Sequence, residues 1–252
     1  MDFRVDLAGL RLKNPLIVAS GVLGVSVGLM KRAEDAGIAA ITMKTATLQA
    51  RQGHPNPVVY EVDCGLLNSM GLPNPGAREM GFILEEAKRI LSVPIIASVG
   101  AATPEESAEV AKYLMKADAF ELNASCPHVK GLGAELISDP EAMALIVGSL
   151  KNTGLPVLVK LSAHADWLHV AGRVLDAGAD GFVAINTLKG MAIDVYARKP
   201  VLGGVYGGLS GPSIHPVAVR VVYELHREYP DVPIVGVGGV EKWTDAVEFI
   251  LA

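Results

Sequence analysis

Two lysines stand within short apolar segments, where a positive charge is costly unless an anion or an electron-rich ligand pairs with it. Lys44 lies in Ile41-Thr-Met-Lys-Thr-Ala-Thr47 and Lys160 in Val157-Leu-Val-Lys-Leu-Ser162. One such lysine could equally be a core residue whose amine reaches solvent. Two lysines at equivalent strand ends instead favour one cavity in which both bind a shared anionic ligand.

A glycine-rich segment near the end of the chain has the composition of a phosphate-binding turn. Val235-Gly-Val-Gly-Gly-Val240 follows an apolar run and precedes a helical pattern, so its backbone N–H groups would stand at a helix N-terminus. Glycine-rich turns are common, and the motif alone is weak evidence. Its position late in a repeating strand–helix pattern predicts a phosphate-bearing ligand that extends toward the lysines.

The elements that must position these residues alternate along the chain. Seven short runs are apolar on both faces, as strands covered on both sides must be. The runs are residues 16–19, 39–43, 95–99, 119–122, 157–161, 181–185 and 234–237. Helical patterns follow at residues 29–36, 77–91, 104–115, 140–150, 167–177, 216–228 and 242–251. This alternation predicts an α/β fold with a parallel sheet.

Seven such units without a linker favour a closed (β/α)8 TIM barrel, with residues 1–252 as one domain. A doubly wound sheet is the alternative, but the first run ends in Ala19-Ser-Gly-Val22 and not in a G-x-G-x-x-G turn. Alternating residues around Ala8-Gly9 predict an N-terminal β-hairpin that closes the bottom of the barrel. An eighth unit needs roughly 30 further residues, so we expect it to be missing from this chain.

Composition argues against several classes of protein. Half of the 252 residues are hydrophobic and 19% are charged, which excludes a disordered chain. The net charge of −5 gives no support for nucleic-acid binding. We find no apolar stretch long enough for a membrane span and no signal-peptide core. Two cysteines make no disulfide framework, so a cytoplasmic protein with reduced thiols and no metal site is expected.

Four motifs are more specific than any of these features. They are Asn68-Ser-Met-Gly-Leu-Pro-Asn-Pro75, Asn123-Ala-Ser-Cys-Pro127, Ile185-Asn-Thr187 and Gly207-Gly-Leu-Ser-Gly-Pro212. In this order, over nearly the whole chain, they resemble the FMN-dependent dihydroorotate dehydrogenases of class 1. Arg198-Lys-Pro200 is most similar to class 1B, whose catalytic subunit pairs with an electron-transfer subunit that carries FAD and an iron–sulfur cluster. The resemblance implies FMN, oxidation of dihydroorotate to orotate in pyrimidine biosynthesis, and a homodimer or a heterotetramer with that subunit.

The resemblance also implies which residues are catalytic. Cys126 would be the general base that removes the C5 proton of dihydroorotate while the C6 hydride passes to flavin N5. Outside this motif, a lone cysteine is most simply a small buried residue, and Cys64, which lacks such a context, is predicted to be structural. Lys44 is the second catalytic residue and would contact both substrate and flavin.

The binding residues are implied in the same way. Asn side chains would supply the donor and acceptor that an imide edge requires, and the backbone at 70–72 would meet the substrate carboxylate. The substrate set is Lys44, Asn68, Ser69, Met70, Gly71, Leu72, Asn123, His128, Asn186 and Thr187. In the flavin set, Lys160 would lie near N1 and O2, and three glycines near the phosphate. The flavin set is Ala19, Ser20, Gly21, Lys44, Thr45, Ser98, Asn123, Lys160, Ile185, Gly211, Gly238 and Gly239.

Departures from the class 1B pattern keep other functions open. His128 stands where class 1B enzymes have Asn, and Ser98 where Asn is common. A similar Cys-Pro-His occurs in dihydropyrimidine dehydrogenases, so a subunit that acts on uracil or thymine is the first alternative. A tRNA-dihydrouridine synthase would need a basic surface and an RNA-binding appendage, and this acidic chain shows neither. A flavin-free barrel, either a lyase for a sugar phosphate or a scaffold, is the third alternative.

Overall fold

A computed structural model describes residues 2–123, 139–164 and 166–252. The strands are β1 (Val5–Leu7), β2 (Leu10–Leu12), β3 (Ile17–Val18), β4 (Ala40–Thr42), β5 (Val59–Val62), β6 (Gly65–Asn68), β7 (Ile95–Val99), β8 (Ala119–Asn123), β9 (Val157–Leu161), β10 (Gly181–Ala184), β11 (Leu188–Gly190), β12 (Ile193–Asp194), β13 (Lys199–Pro200), β14 (Gly207–Ser210) and β15 (Ile234–Gly236). The helices are α1 (Val27–Asp35), α2 (Ala77–Ile90), α3 (Pro104–Tyr113), α4 (Pro140–Lys151), α5 (Trp167–Asp176), α6 (His215–Glu228) and α7 (Trp243–Leu251).

The central sheet contains one strand from each of the seven predicted runs. Its order is β3-β4-β7-β8-β9-β10-β15, and all neighbours pair in parallel. Because successive parallel strands lie side by side, each connection carries a helix across the sheet. The α/β barrel prediction is therefore confirmed, and β3 and β15 are the outermost strands of this sheet within the described ranges.

Apolar residues on both faces of the strands build two separate cores. Side chains on the outer face, such as Ile95 and Phe120, pack with the helices in one large cluster. Their neighbours Ile96 and Ala119 belong to a smaller inner cluster that also contains Val183 of β10. Strands that are several places apart in the sheet can share an inner cluster only if the sheet curls around it.

The predicted N-terminal hairpin is present and covers one end of the inner cluster. β1 and β2 pair antiparallel through a turn at Ala8 and Gly9, both of which have positive φ. Leu7 and Leu12 are buried and pack into the inner cluster, whereas their neighbours Asp6 and Arg11 are exposed. The alternation seen in the sequence is thus the alternation between the barrel interior and solvent.

A second sheet, which the sequence pattern does not predict, stands at the opposite end of the barrel. Four antiparallel strands follow the order β11-β14-β6-β5; Asn68 is the last residue of the inner strand β6, and Thr187 directly precedes the edge strand β11. β5 and β6 belong to the connection after β4, and β11 and β14 to the connection after β10. Both connections leave the carboxyl ends of parallel strands, so this sheet adjoins the end of the barrel where catalytic groups collect.

Glu34, near the end of α1, ties this helix to the segment before β7. Its Oε1 accepts hydrogen bonds from Ser92 N (2.8 Å), Ser92 Oγ (2.6 Å) and Val93 N (3.1 Å), and Oε2 accepts one from Lys31 Nζ (2.8 Å). The bond from Lys31, followed by that from Ser92, lowers the pKa of Glu34 to about 2. A carboxyl whose pKa is lowered by folding stabilises the protein at neutral pH, and this contribution disappears as the pH falls from about 4.5 toward 2.

We therefore expect Glu34→Gln to lower the free energy of unfolding by about 1–3 kcal/mol at pH 7, because Ser92, Val93 and Lys31 lose a charged acceptor that is itself buried. The difference in unfolding free energy between Glu34→Gln and wild type should become smaller as the pH approaches 3, because the stabilisation by the Glu34 carboxylate is then partly lost in wild type as well. Urea unfolding followed by circular dichroism at both pH values measures the two differences. Glu109→Gln is the matched control, since Glu109 pairs with Lys112 on an exposed helix face. Equal losses of unfolding free energy in Glu34→Gln and Glu109→Gln at pH 7 would contradict the stabilising role assigned to Glu34.

Candidate active site

The loop after β3 lies against both predicted lysines. Lys160 is only 6% exposed, and its Nζ donates to Ser20 Oγ over 3.4 Å. A Cβ built on Gly21 would lie 3.7 Å from Lys44 Nζ. Lys44 N also donates to the carbonyl oxygen of Gly24 over 3.2 Å. Two lysines from separate strand–loop units thus approach adjacent residues of one loop, where an anionic or electron-rich ligand would lie close to both ammonium groups.

A chain of hydrogen bonds links the ends of four strands beside the lysines. Asn186 Nδ2 donates to Asn123 Oδ1 (3.1 Å), and Asn123 Nδ2 donates to Thr45 Oγ1 (3.0 Å). Thr45 Oγ1 lies 2.9 Å from Ser98 Oγ, and both hydroxyl residues are buried. Since each side chain is held by its neighbour, the chain fixes the orientation of both amides at the mouth of the barrel.

The end of β6 and the segment after β10 both contact strand β14. Asn68 Nδ2 donates to the carbonyl oxygen of Gly208 over 3.2 Å. A Cβ on Gly208 would lie 2.1 Å from Thr187 Oγ1, so Thr187 packs directly on the same glycine. Beyond Asn68 the chain turns sharply through Gly71 and Leu72, which have φ values of +73° and +55°. The antiparallel sheet therefore brings together residues that are far apart in the sequence.

Two glycine turns form a close-packed backbone surface at the other side of the site. Gly211, Gly238 and Gly239 all have positive φ, and a Cβ on Gly239 would lie only 2.7 Å from the carbonyl oxygen of Gly211. His215 Nδ1 donates to the carbonyl oxygen of Gly238 over 2.7 Å and thereby orients the second turn. Because α6 begins at His215, these turns stand at a helix N-terminus, where anions are stabilised.

The two halves of the site are joined by the backbone. Ile185 N donates to the carbonyl oxygen of Val237 over 2.9 Å, which links the segment of Asn186 to the Gly238 turn. Ala19 lies between β3 and Ser20, and Ser69 is fully buried behind Asn68. Two predicted site residues, Cys126 and His128, lie outside the described residues. Two histidines that the sequence analysis did not single out, His54 and His215, contact the predicted segments.

Comparison with known proteins decides the family. The family model described as dihydroorotate dehydrogenase matches residues 3–252. The chain belongs to the dihydroorotate dehydrogenase family. It is therefore an oxidoreductase of pyrimidine biosynthesis that oxidises dihydroorotate with a flavin. None of the helices in the described part of this dihydroorotate dehydrogenase has the length and apolarity needed to cross a membrane.

Curated dihydroorotate dehydrogenases match over nearly the full chain. A protein of Pyrococcus furiosus is 45% identical over 255 residues, which cover 100% of this chain and 84% of the relative. One of Methanosarcina mazei is 47% identical over 253 residues, which cover 98% and 80%. Both are named as the catalytic subunit of dihydroorotate dehydrogenase B (NAD(+)). A relative from Aeropyrum pernix, 44% identical, is named provisionally as dihydroorotate dehydrogenase A (fumarate).

Proposed function

We propose that residues 1–252 form one FMN-binding domain, the catalytic subunit of a class 1B dihydroorotate dehydrogenase. The observation that carries the proposal is the approach of Lys160 and Lys44 to the loop at Ser20 and Gly21. When bound, FMN would supply an acceptor for a hydride, and the negative charge of its reduced ring would need a cationic neighbour. A buried lysine beside the pyrimidine end of the flavin would stabilise that charge, which is how a protein tunes its cofactor.

The described residues fit FMN at both of its ends. The close approach of Gly239 to Gly211 leaves no room for a Cβ, and such a bare backbone surface at the N-terminus of α6 suits a phosphate group. At the ring end, Thr45, Ser98 and Asn123 form a polar edge. Further contacts are assigned to Ala19, Ser20, Gly21, Lys44, Lys160, Ile185 and Gly238.

The substrate is assigned to the region between the lysines and the antiparallel sheet. Asn123 and Asn186 have their amides oriented by each other and by Thr45, which prepares them to recognise the imide edge of the pyrimidine ring. Asn68 and Thr187 would complete this edge. The carboxylate would meet Lys44 and the backbone amides of Met70, Gly71 and Leu72. Ser69 is buried, so we assign only its backbone to this segment.

The proton and the hydride leave opposite faces of the substrate. In the proposed reaction the C5 proton would pass to the sulfur of Cys126 and the C6 hydride would leave with its electron pair, so that the C5–C6 bond would become double; FMN held by the residues named above would supply the hydride acceptor. Cys126 must be deprotonated to accept the proton. Asn123, three residues before Cys126, is anchored by Thr45 and Asn186, which provides a rigid start for the catalytic loop. His128 would donate to a substrate carbonyl.

Anaerobic reduction of the bound flavin tests this function directly. The purified protein should be yellow and should release FMN, and dihydroorotate should bleach its absorbance. Orotate should perturb the flavin spectrum, whereas uracil should not. If uracil alone perturbs the flavin spectrum, the substrate is a pyrimidine without the carboxylate, and the assignment of dihydroorotate is wrong. A protein that stays colourless after reconstitution with FMN would overturn the proposal in favour of a flavin-free barrel.

The electron acceptor requires a separate experiment. In the proposed class 1B enzyme, this chain is a cytoplasmic protein that forms a homodimer, or a heterotetramer with an electron-transfer subunit that carries FAD and an iron–sulfur cluster. The proposal predicts that a pull-down recovers this subunit and that NAD is reduced only in its presence. Turnover with fumarate by the isolated chain would assign it instead to the fumarate-using enzymes.

A further inference from the structure

A histidine with no role in the proposed mechanism stands behind the segment assigned to the substrate carboxylate. His54 Nδ1 lies 2.9 Å from Ser69 Oγ. His54 N donates to the carbonyl oxygen of Met70 over 3.1 Å. Ser69 is fully buried, so water cannot replace His54 as the partner of its hydroxyl group.

The imidazole ring of His54 also packs against the next residue of this segment. A Cβ built on Gly71 would lie 2.7 Å from both Cδ2 and N of His54. The φ of Gly71 is +73°, so a side chain here would suffer both a collision and backbone strain. His54 therefore contacts three consecutive residues: the side chain of Ser69, the carbonyl of Met70 and the backbone of Gly71.

The connection between β13 and β14 closes over this contact from the other side. A Cβ built on Gly204 would lie 2.1 Å from Ser69 Oγ and 2.4 Å from His54 Nδ1. Gly203 N donates to the carbonyl oxygen of Pro57 over 2.8 Å, which holds the connection against the segment that carries His54. The backbone of Gly204 fills the space beside the Ser69 hydroxyl group. Among the described residues, His54 is therefore the hydrogen-bond partner on which this hydroxyl group depends.

We infer that His54 is the positioning residue that sets the conformation of residues 69–72, so that the amides of Met70, Gly71 and Leu72 face the substrate carboxylate. The link to the carboxylate rests on the proposed function, whereas the contacts of His54 do not. In this assignment His54 acts on the carboxylate segment through Ser69 and Gly71. It should therefore govern substrate affinity and leave the chemical step unchanged.

Three substitutions separate the hydrogen bond of His54 to Ser69 from the packing of its ring on Gly71. His54→Asn places a polar atom on the same carbon as Nδ1, so it keeps the bond to Ser69 but loses the ring. His54→Phe keeps the ring and loses the bond, and His54→Ala loses both. His226→Phe is the control, since His226 is an exposed residue of α6. Thermal melting of each holoenzyme verifies that the variants are folded.

The expected result is a split between KM and kcat. His54→Phe and His54→Ala should raise the KM for dihydroorotate and the Kd for orotate about 10-fold, with kcat within about 2-fold of wild type. His54→Asn should recover most of the affinity. In the substrate-free enzyme, amide hydrogen exchange of residues 66–74 should accelerate in His54→Phe and not in His226→Phe. After Ser69→Ala, His54→Phe should have little additional effect.

Two results would overturn the inference: unchanged exchange of residues 66–74 in His54→Phe, or equal losses in kcat and stability with no change in KM. Failure of the proposed function has a different signature. If the wild-type holoenzyme does not respond to orotate, the carboxylate assignment fails. Amide hydrogen exchange of residues 66–74 in His54→Phe and His226→Phe still decides whether His54 sets the conformation of residues 69–72.

Discussion

Cys126→Ser is expected to slow flavin reduction by dihydroorotate by about 10²–10⁴-fold at neutral pH, the range that a positioned general base contributes. A serine hydroxyl is a far weaker base than a thiolate, so the C5 proton has no good acceptor while the hydride leaves. Anaerobic stopped-flow absorbance measures this step in isolation. The rate in the variant should rise with pH over a wider range than in wild type, because hydroxide can take over the proton transfer.

Cys64→Ser is the matched control for this experiment. The Cys64 residue is exposed in the turn between β5 and β6, and it is the backbone carbonyl of Cys64, not the thiol, that lies near Gly211 of the proposed site. The same chemical change should therefore leave flavin reduction unaltered. Traces that are identical in wild type and in Cys126→Ser would exclude Cys126 as the base. Orotate binding should persist in Cys126→Ser, which separates a lost base from a disrupted substrate site.

Lys160→Met is expected to weaken FMN binding about 10–150-fold and to lower the midpoint potential of the flavin that remains bound. A hydrogen bond to a charged group contributes about 1.5–3 kcal/mol, and each 1.4 kcal/mol corresponds to a factor of ten. Methionine preserves the length of the side chain and tolerates the buried position of Lys160. The charge is therefore the main property removed. Fluorescence titration gives the affinity, and a reductive titration with a reference dye gives the potential.

Lys116→Met provides the comparison for Lys160→Met. Lys116 pairs with Glu85 at the surface, and its side chain is 63% exposed. Removing that charge should change neither flavin affinity nor potential. An unchanged potential in Lys160→Met would show that the lysine does not face the reduced ring. Weaker binding without a change in potential would reassign Lys160 to another part of the cofactor.

The parallel strands and their helices could be predicted because their signals are local. β7 and β9 have the predicted bounds, since each is a run of five residues that is buried on both faces. Helix starts are equally local. Thr103 Oγ1 accepts a hydrogen bond from Glu106 N at the start of α3, and Pro104 occupies the first turn.

The antiparallel sheet escaped prediction because its stabilising partners are distant in the chain. Leu67 of β6 pairs with Leu209 of β14, and two of the four residues of β14 are glycine. Such a strand has few side chains from which a pattern can be recognised, and its pairing is set by contacts across the fold. His54 was missed for the same reason. Its sequence neighbours indicate a turn, and only tertiary packing brings it against Ser69 and Gly71.

The sequence by itself determined the family, the barrel class and the chemical character of each strand end, because these depend on residue types and short spacings. Only the tertiary structure decided which groups meet: Lys160 with Ser20, Asn123 with Asn186 and Thr45, and Gly239 with Gly211. Each of these contacts joins separate strand–loop units. Their geometry follows from how the sheet curls and how its loops pack, and these are properties of the whole fold that no local segment encodes.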